Sequence, residues 1–316
     1  MKCIAAMLLL AAAAPAAAQP PNPAPAATQP PAATPARPNF DNVRIRVERL
    51  APGVAALFGR GGNIGLSYGA DGNVIIDDQY APLTDRILAA IREVDPAPIR
   101  FVINTHWHGD HTGGNENVGR TGAVIVAQDN VRRRMSMEQV VRGERVAPSP
   151  AGALPVVTFS EAVTFHLNGD EIRVIHVAHA HTDGDALVYW THANVIHMGD
   201  TFFNGLLPFI DLDSGGSIDG AIVAVEAGLA LANEGTVIIP GHGPIAHRAD
   251  LVRYRDMLVD LRSRVGQGIA AGRTLEQIKA GRFADGYGPP DGFISPDSLI
   301  ETIYRSLRAA PYAEPH

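Results

Sequence analysis

The sequence predicts an α/β fold of four layers, an αββα sandwich in which two β-sheets pack face to face and helices cover both outer faces. Three observations predict it. Two β-rich halves follow one another and each is closed by helical patterns, and a sheet must bury its apolar face against another layer. Metal-capable side chains recur where apolar strand patterns stop. The chain from about Asn39 onward is also long enough for one substantial core.

The first half opens with short β-rich runs, "VRIRVERL", "VAALFG", "NIGLSYG" and "NVIIDD", separated by Pro-Gly, Gly-Gly and Asp-Gly turns. Residues 83–94, "LTDRILAAIREV", have helical apolar spacing, and Pro96 and Pro98 end them. A strand at 99–104 follows, then a strand at 123–127 and a helix from about Asp129 through "DNVRRRMSMEQVV"; the Gly/Pro/Ser-rich stretch 142–155 reads as a loop. In the second half "VVTF", "VTFHL", "EIRVIHV", "DALVYW" and "NVIHMG" read as strands. A helix around 217–233, a strand "TVIIP" and a long helix near 247–265 come next. We therefore expect a catalytic domain over 39–265 and a short helical C-terminal extension over 266–316, with a Gly/Pro-rich interruption at 285–291.

Ahead of that domain, residues 1–18 carry one Lys, an apolar run and an A-x-A ending at Ala18. That order predicts a cleaved secretory signal, too short to span a membrane, and a periplasmic or secreted product. The only cysteine, Cys3, lies inside it, so the mature chain would have no disulfide, thiolate ligand or thiol nucleophile. Residues 19–38 are Pro/Ala-rich and nearly uncharged, which predicts an extended, disordered tether. Loss of Lys2 takes the formal charge from −7 to −8. An acidic chain without a Lys/Arg stripe is poorly suited to phosphate backbones, so neither nucleic acid nor membrane is expected as a partner.

The chemistry concentrates in "INTHWHGDHTGGN", residues 103–115, where His106, His108, Asp110 and His111 occupy six positions. An extended backbone would send His106 and His108 to one face, and "HTGGN" lets the chain reverse. Four such residues on one loop can serve two metal ions but enclose neither, so further ligands must come from elsewhere. "HVAHAHTDGD" offers His181 or His179, "VIHMGDTF" offers Asp200, and "VIIPGHGP" offers His242. A single histidine is more often structural, but five histidines and two aspartates in one ordered pattern are not explained that way. His166, His176, His192, His197, His247 and His316 have no such context and read as structural. Trp107 reads as packing under the histidines or lining the rim.

"THWHGDH", a later lone His, Gly-Asp and "PGHGP" together resemble the metallo-β-lactamase superfamily of hydrolases, over roughly residues 43–247. The resemblance implies one metal held by His106, His108 and His181. It implies a second held by Asp110, His111 and His242, with Asp200 bridging. It also implies that Asp110 handles the proton of the attacking water. Imidazole and carboxylate donors without thiolate suit two zinc ions, with iron or manganese compatible. A metal pair would activate water for attack on a carbonyl and stabilise the oxyanion. Asp77, closing "NVIIDD", reads either as a partner orienting a ligand histidine or as a turn residue.

For the substrate, a small molecule with a hydrolysable carbonyl is expected. The exported address and the stretch 130–155, which could wall a site, favour a β-lactam amide. Asp200, where common β-lactamases of this superfamily carry cysteine or serine, favours a lactone or thioester instead. No lysine follows Asp200 to grip a substrate carboxylate. A nuclease would need an added domain and a basic groove; a non-catalytic metal-binding protein is the weakest alternative.

Overall fold

A computed structural model describes residues 39–289 and 292–309. The signal-like segment 1–18, the whole tether 19–38 and His316 lie outside the described residues. The first half contains β1 (Arg46–Ala51), β2 (Val54–Phe58), β3 (Ile64–Ser67), β4 (Asn73–Ile76), α1 (Thr84–Val94), β5 (Ile99–Ile103), α2 (Gly109–Thr112), α3 (Asn115–Gly119), β6 (Val124–Gln128) and α4 (Asp129–Met135). Next come β7 (Gln139–Val141), β8 (Glu144–Val146) and β9 (Val157–Phe159). The second half contains β10 (Ala162–Leu167), β11 (Asp170–His176), β12 (Ala186–Trp190), β13 (Val195–His197), α5 (Ile218–Leu231), β14 (Val237–Ile239), β15 (Ala246–His247) and α6 (Arg248–Ala270). Helices α7 (Leu275–Lys279) and α8 (Pro296–Arg308) end the described chain.

One sheet has seven strands in the order β1-β2-β3-β4-β5-β6-β9, the other six in the order β10-β11-β12-β13-β14-β15. Side-chain alternation along each strand divides the core. Val54, Ala56, Val74, Ile76, Ile103 and Val126 of the first sheet meet Ile172, Val174, Val188, Trp190 and Val195 of the second between the sheets. The opposite face of the first sheet, with Leu57, Leu66 and Ile75, packs on Ile87 and Ile91 of α1. Leu187, Ile196 and Ile238 of the second sheet pack on α5 and α6. Strands buried on both faces explain the near-continuous apolar runs. The four layers expected from the sequence are present.

Two stretches differ from expectation. The helix read from "DNVRRRMSMEQVV" stops at Met135, capped by Ser136, and residues 139–146 form a separate β7–β8 hairpin. Its two-residue turn, Arg142-Gly143, has both residues at positive φ (53° and 82°), the handedness that matches strand twist in tight hairpins. The long helix α6 continues past residue 265 to Ala270. Beyond it, Ile278, Ala284, Ile294, Leu299, Ile300 and Ile303 join the core beneath α5 and α6. The C-terminal helices are thus packed into the second half. No helix among the described residues is long and apolar enough to cross a membrane.

Candidate metal centre

Four turns at strand ends converge on one place. Residues 104–108 leave β5 as a series of bends rather than the extended backbone expected, and α2 then carries Asp110 and His111. The His106 and His108 rings still meet, edge to face, with centroids 4.9 Å apart. His181 arrives on the β11–β12 connection, its ring 4.6 Å from that of His106 and 4.7 Å from that of His108. Asp200 sits in a 3₁₀ turn just after β13, and His242 follows β14. Close approach makes two glycines necessary: a Cβ at Gly62 would overlap the His111 ring, and one at Gly241 would overlap the Asp200 carboxylate.

All seven side chains singled out in the sequence come together. His106, His108 and His181 form one group that could hold a cation; Asp110, His111 and His242 form another. Asp200 stands between them. Its Oδ2 lies 4.0 Å from His106 Nε2 and 3.7 Å from His181 Nε2, while its Oδ1 lies 3.1 Å from His111 Nε2 and 3.4 Å from His242 Nε2. Of the two candidates in "HVAHAHTDGD", His181 is the one that reaches this cluster; the His179 ring is bonded 3.0 Å from the Gly215 carbonyl.

Whether a cation fits can be read from where the ring protons must be. His181 Nδ1 donates to the Phe209 carbonyl at 2.8 Å, which leaves a lone pair on Nε2. His108 Nε2 donates to Asp211 at 2.9 Å, leaving a lone pair on Nδ1. Those two lone pairs then face each other at 2.8 Å, an arrangement that repels unless a proton or cation lies between them. His111 Nδ1 donates to Asp77 at 2.7 Å and turns its Nε2 towards the Asp200 and Asp110 carboxylates. Thr105 spends its hydroxyl proton on Asp77 (2.7 Å) and so accepts from His106 Nδ1 at 3.1 Å. That leaves the buried His106 Nε2 without a hydrogen-bond partner. Four imidazoles oriented from behind, with lone pairs and carboxylates facing inward, fit divalent metal ions.

The electrostatics describe the same conflict. Burial, with His111 and His181 nearby, holds His106 well below the usual histidine range. Burial pushes His181 down to about 4. Burial opposes charge on His242 as well, but Asp200 and Asp110 outweigh it and push that ring up to about 9. Asp110, despite its burial, is drawn down to about 2 by His111 and His242. In the second group Asp110 and His242 reach solvent, each 25% exposed, while His111 is fully buried.

Asp77 acts as the orienting partner rather than only a turn residue. It is fully buried and also accepts from the Thr105 amide at 2.8 Å. Asp211 and the Phe209 carbonyl are orienting groups the sequence did not reveal. They lie in "LPFIDLD", a stretch with no strand periodicity and no ligand-like spacing. Trp107 is buried against Val131, Met135 and Ala153, and its ring lies 4.7 Å from that of His108. Above the cluster opens a cavity of about 500 Å³, floored by His108, Asp110, Asp200 and His242.

A profile described as the metallo-beta-lactamase superfamily matches residues 57–253. Among curated proteins, a hydroxyacylglutathione hydrolase of Rhodospirillum rubrum is 32% identical over 125 residues, covering 39% of this chain and 41% of that one. The alpha subunit of a 2,4-dinitroanisole O-demethylase of Nocardioides sp. is 27% identical over 141 residues, covering 43% and 40%. The chain thus spans about two fifths of the length of the curated relatives it matches. Among solved structures, a metallo-beta-lactamase from Pontibacter korlensis superposes with a TM-score of 0.58 at 19% identity, over 69% of this chain and 100% of the other. A stereoselective inverting sec-alkylsulfatase from Pseudomonas sp. gives 0.60 at 18% identity, over 83% and 50%. Likeness at these identities is likeness of fold.

Proposed function

The chain belongs to the metallo-beta-lactamase superfamily, and from that premise we propose that it is a zinc-dependent hydrolase that cleaves an acyl bond of a small molecule. The observation that carries this reading is the Asp200 carboxylate, which presents one oxygen to each of two histidine groups. In this reading His106, His108 and His181 would hold one metal and Asp110, His111 and His242 the other, with the Asp200 carboxylate facing both groups. Zinc held there supplies the Lewis acidity that activates water and polarises a carbonyl.

The protein's own groups do the rest. Asp77, Asp211 and the Phe209 carbonyl keep the ring protons on the outer nitrogens of His111, His108 and His181, so the inner nitrogens stay available as donors. Asp110, a carboxylate facing the cavity, takes the proton of the attacking water and returns it to the leaving group. Phe203, Phe209 and Trp107 exclude water from the histidines' outer sides.

A β-lactam amide is the first substrate to test, on the argument from an exported address; that address itself rests on residues 1–18 and is part of the proposal. A thioester is the second reading, favoured by the relative named as a hydroxyacylglutathione hydrolase and by an aspartate at position 200. Purified chain should carry close to two zinc equivalents by elemental analysis. It should turn over at least one of a chromogenic cephalosporin, a glutathione thioester and an acyl-homoserine lactone. Zinc-loaded, folded protein inert to all three would overturn the hydrolase reading.

A further inference from the structure

The cavity above the metal centre is not evenly polar, and its far wall comes from two stretches outside the strand-end turns. Phe203, Leu206, Leu207 and Phe209 line one side, and Phe293 of the C-terminal segment closes it. Gly288 lets that segment lie against Leu207, since a Cβ there would crowd the Leu207 side chain and backbone. Phe293 is nonetheless 69% exposed, and Val146 at the opposing hairpin lip is 38% exposed. Such an apolar lip around a cavity of this size is an incomplete packing surface. Arg142, at the tip of the β7–β8 hairpin, holds its guanidinium 4.6 Å from the Phe293 ring centroid and 6.0 Å from that of Phe209. Phe209 in turn lies 5.8 Å from the His108 ring. The guanidinium is thus two ring contacts from the metal centre. Among the described residues no carboxylate pairs with it, and a turn position that glycine or asparagine adopts more readily is given to arginine.

Building on the hydrolase reading, we propose that this cavity is a subsite for an amphiphilic anion: the substrate's aryl or alkyl body lies against Phe209, Phe293 and Leu207, and its acidic group meets Arg142. Arg142 and Phe293 are therefore specificity-determining residues. The apolar wall supplies affinity by burial, and the Arg142 guanidinium beside Phe293 selects negative charge at that edge of the rim.

Binding can be measured without turnover, which separates this idea from the hydrolase reading. The purified full chain is titrated calorimetrically with 4-phenylbutane-1-sulfonate and with its neutral counterpart 4-phenylbutan-1-ol. The sulfonate should bind more tightly even though it is the more water-seeking of the two, by about fivefold for a rim ion pair. Arg142→Ala should erase that preference while the alcohol still binds, and Arg142→Lys should restore part of it. Phe293→Ala should weaken both ligands. Equal binding of the two ligands, binding of neither, or a preference indifferent to Arg142→Ala would overturn the subsite, whatever the enzyme hydrolyses.

Discussion

At Asp77 a single carboxylate sets both the position and the tautomer of a candidate ligand. It is fully buried and accepts from His111 Nδ1, the Thr105 amide and the Thr105 hydroxyl. Asp77→Ala leaves three buried donors without acceptors, so the folded state should lose about 2–4 kcal/mol in chemical denaturation. Zinc affinity should fall about 10- to 100-fold, as when partners behind a ligand are removed. The neighbouring choice between His179 and His181 has an equally direct consequence. His181→Ala should remove bound zinc by elemental analysis. His179→Asn, which tolerates the same positive φ of 54°, should keep the full complement and cost about 1–2 kcal/mol of stability. The reverse result would reassign the ligand. The stretch "HVAHAHTDGD" offers both residues; the structure separates them by what their Nδ1 atoms bond, Gly215 for one and Phe209 for the other.

Among the elements, those with strong periodicity were legible and those made by turn chemistry were not. The apolar spacing of α1 and the paired runs of β10 to β13 are visible in the sequence because burial on known faces dictates them. The β7–β8 hairpin was not visible. "RRRMSMEQVV" continues a helical spacing, and Arg-Gly lacks the Asn-Gly or Asp-Gly turn signal. Helix α8 was expected only as part of an extension, yet Leu299, Ile300 and Ile303 are buried against the layer built by α5 and α6. Leu299→Ala should therefore cost about 2–5 kcal/mol and shift one cooperative transition of the whole domain. A separate, earlier transition confined to the C-terminus would show instead that the extension folds by itself. The candidate site was legible for a related reason: the turns that follow strand ends gather at one rim in a layered α/β fold, and all seven proposed side chains lie in the segments that follow β5, β11, β13 and β14.

For the molecule as a whole, the candidate metal centre gathers opposed charge that only cations or protons can settle. Stripped of metal, the protein keeps protons among the inward groups; His242 holds its proton up to about 9 because Asp200 and Asp110 face it, against a usual value of 6.5. A histidine whose pKa is raised by folding adds stability that is complete below the unfolded value and disappears as pH climbs through the folded one. The metal-stripped chain should therefore lose stability between about pH 6.5 and 9 in denaturant titrations, a window set by His242. Zinc bound as proposed would replace that proton, so loading at pH 8 should release protons, seen as a calorimetric enthalpy that changes with buffer ionisation heat. The zinc-loaded chain should in turn keep its stability across the same window. If the stripped chain were equally stable at both ends and zinc bound without proton release, the inward-facing histidines would not be the groups that exchange protons for metal.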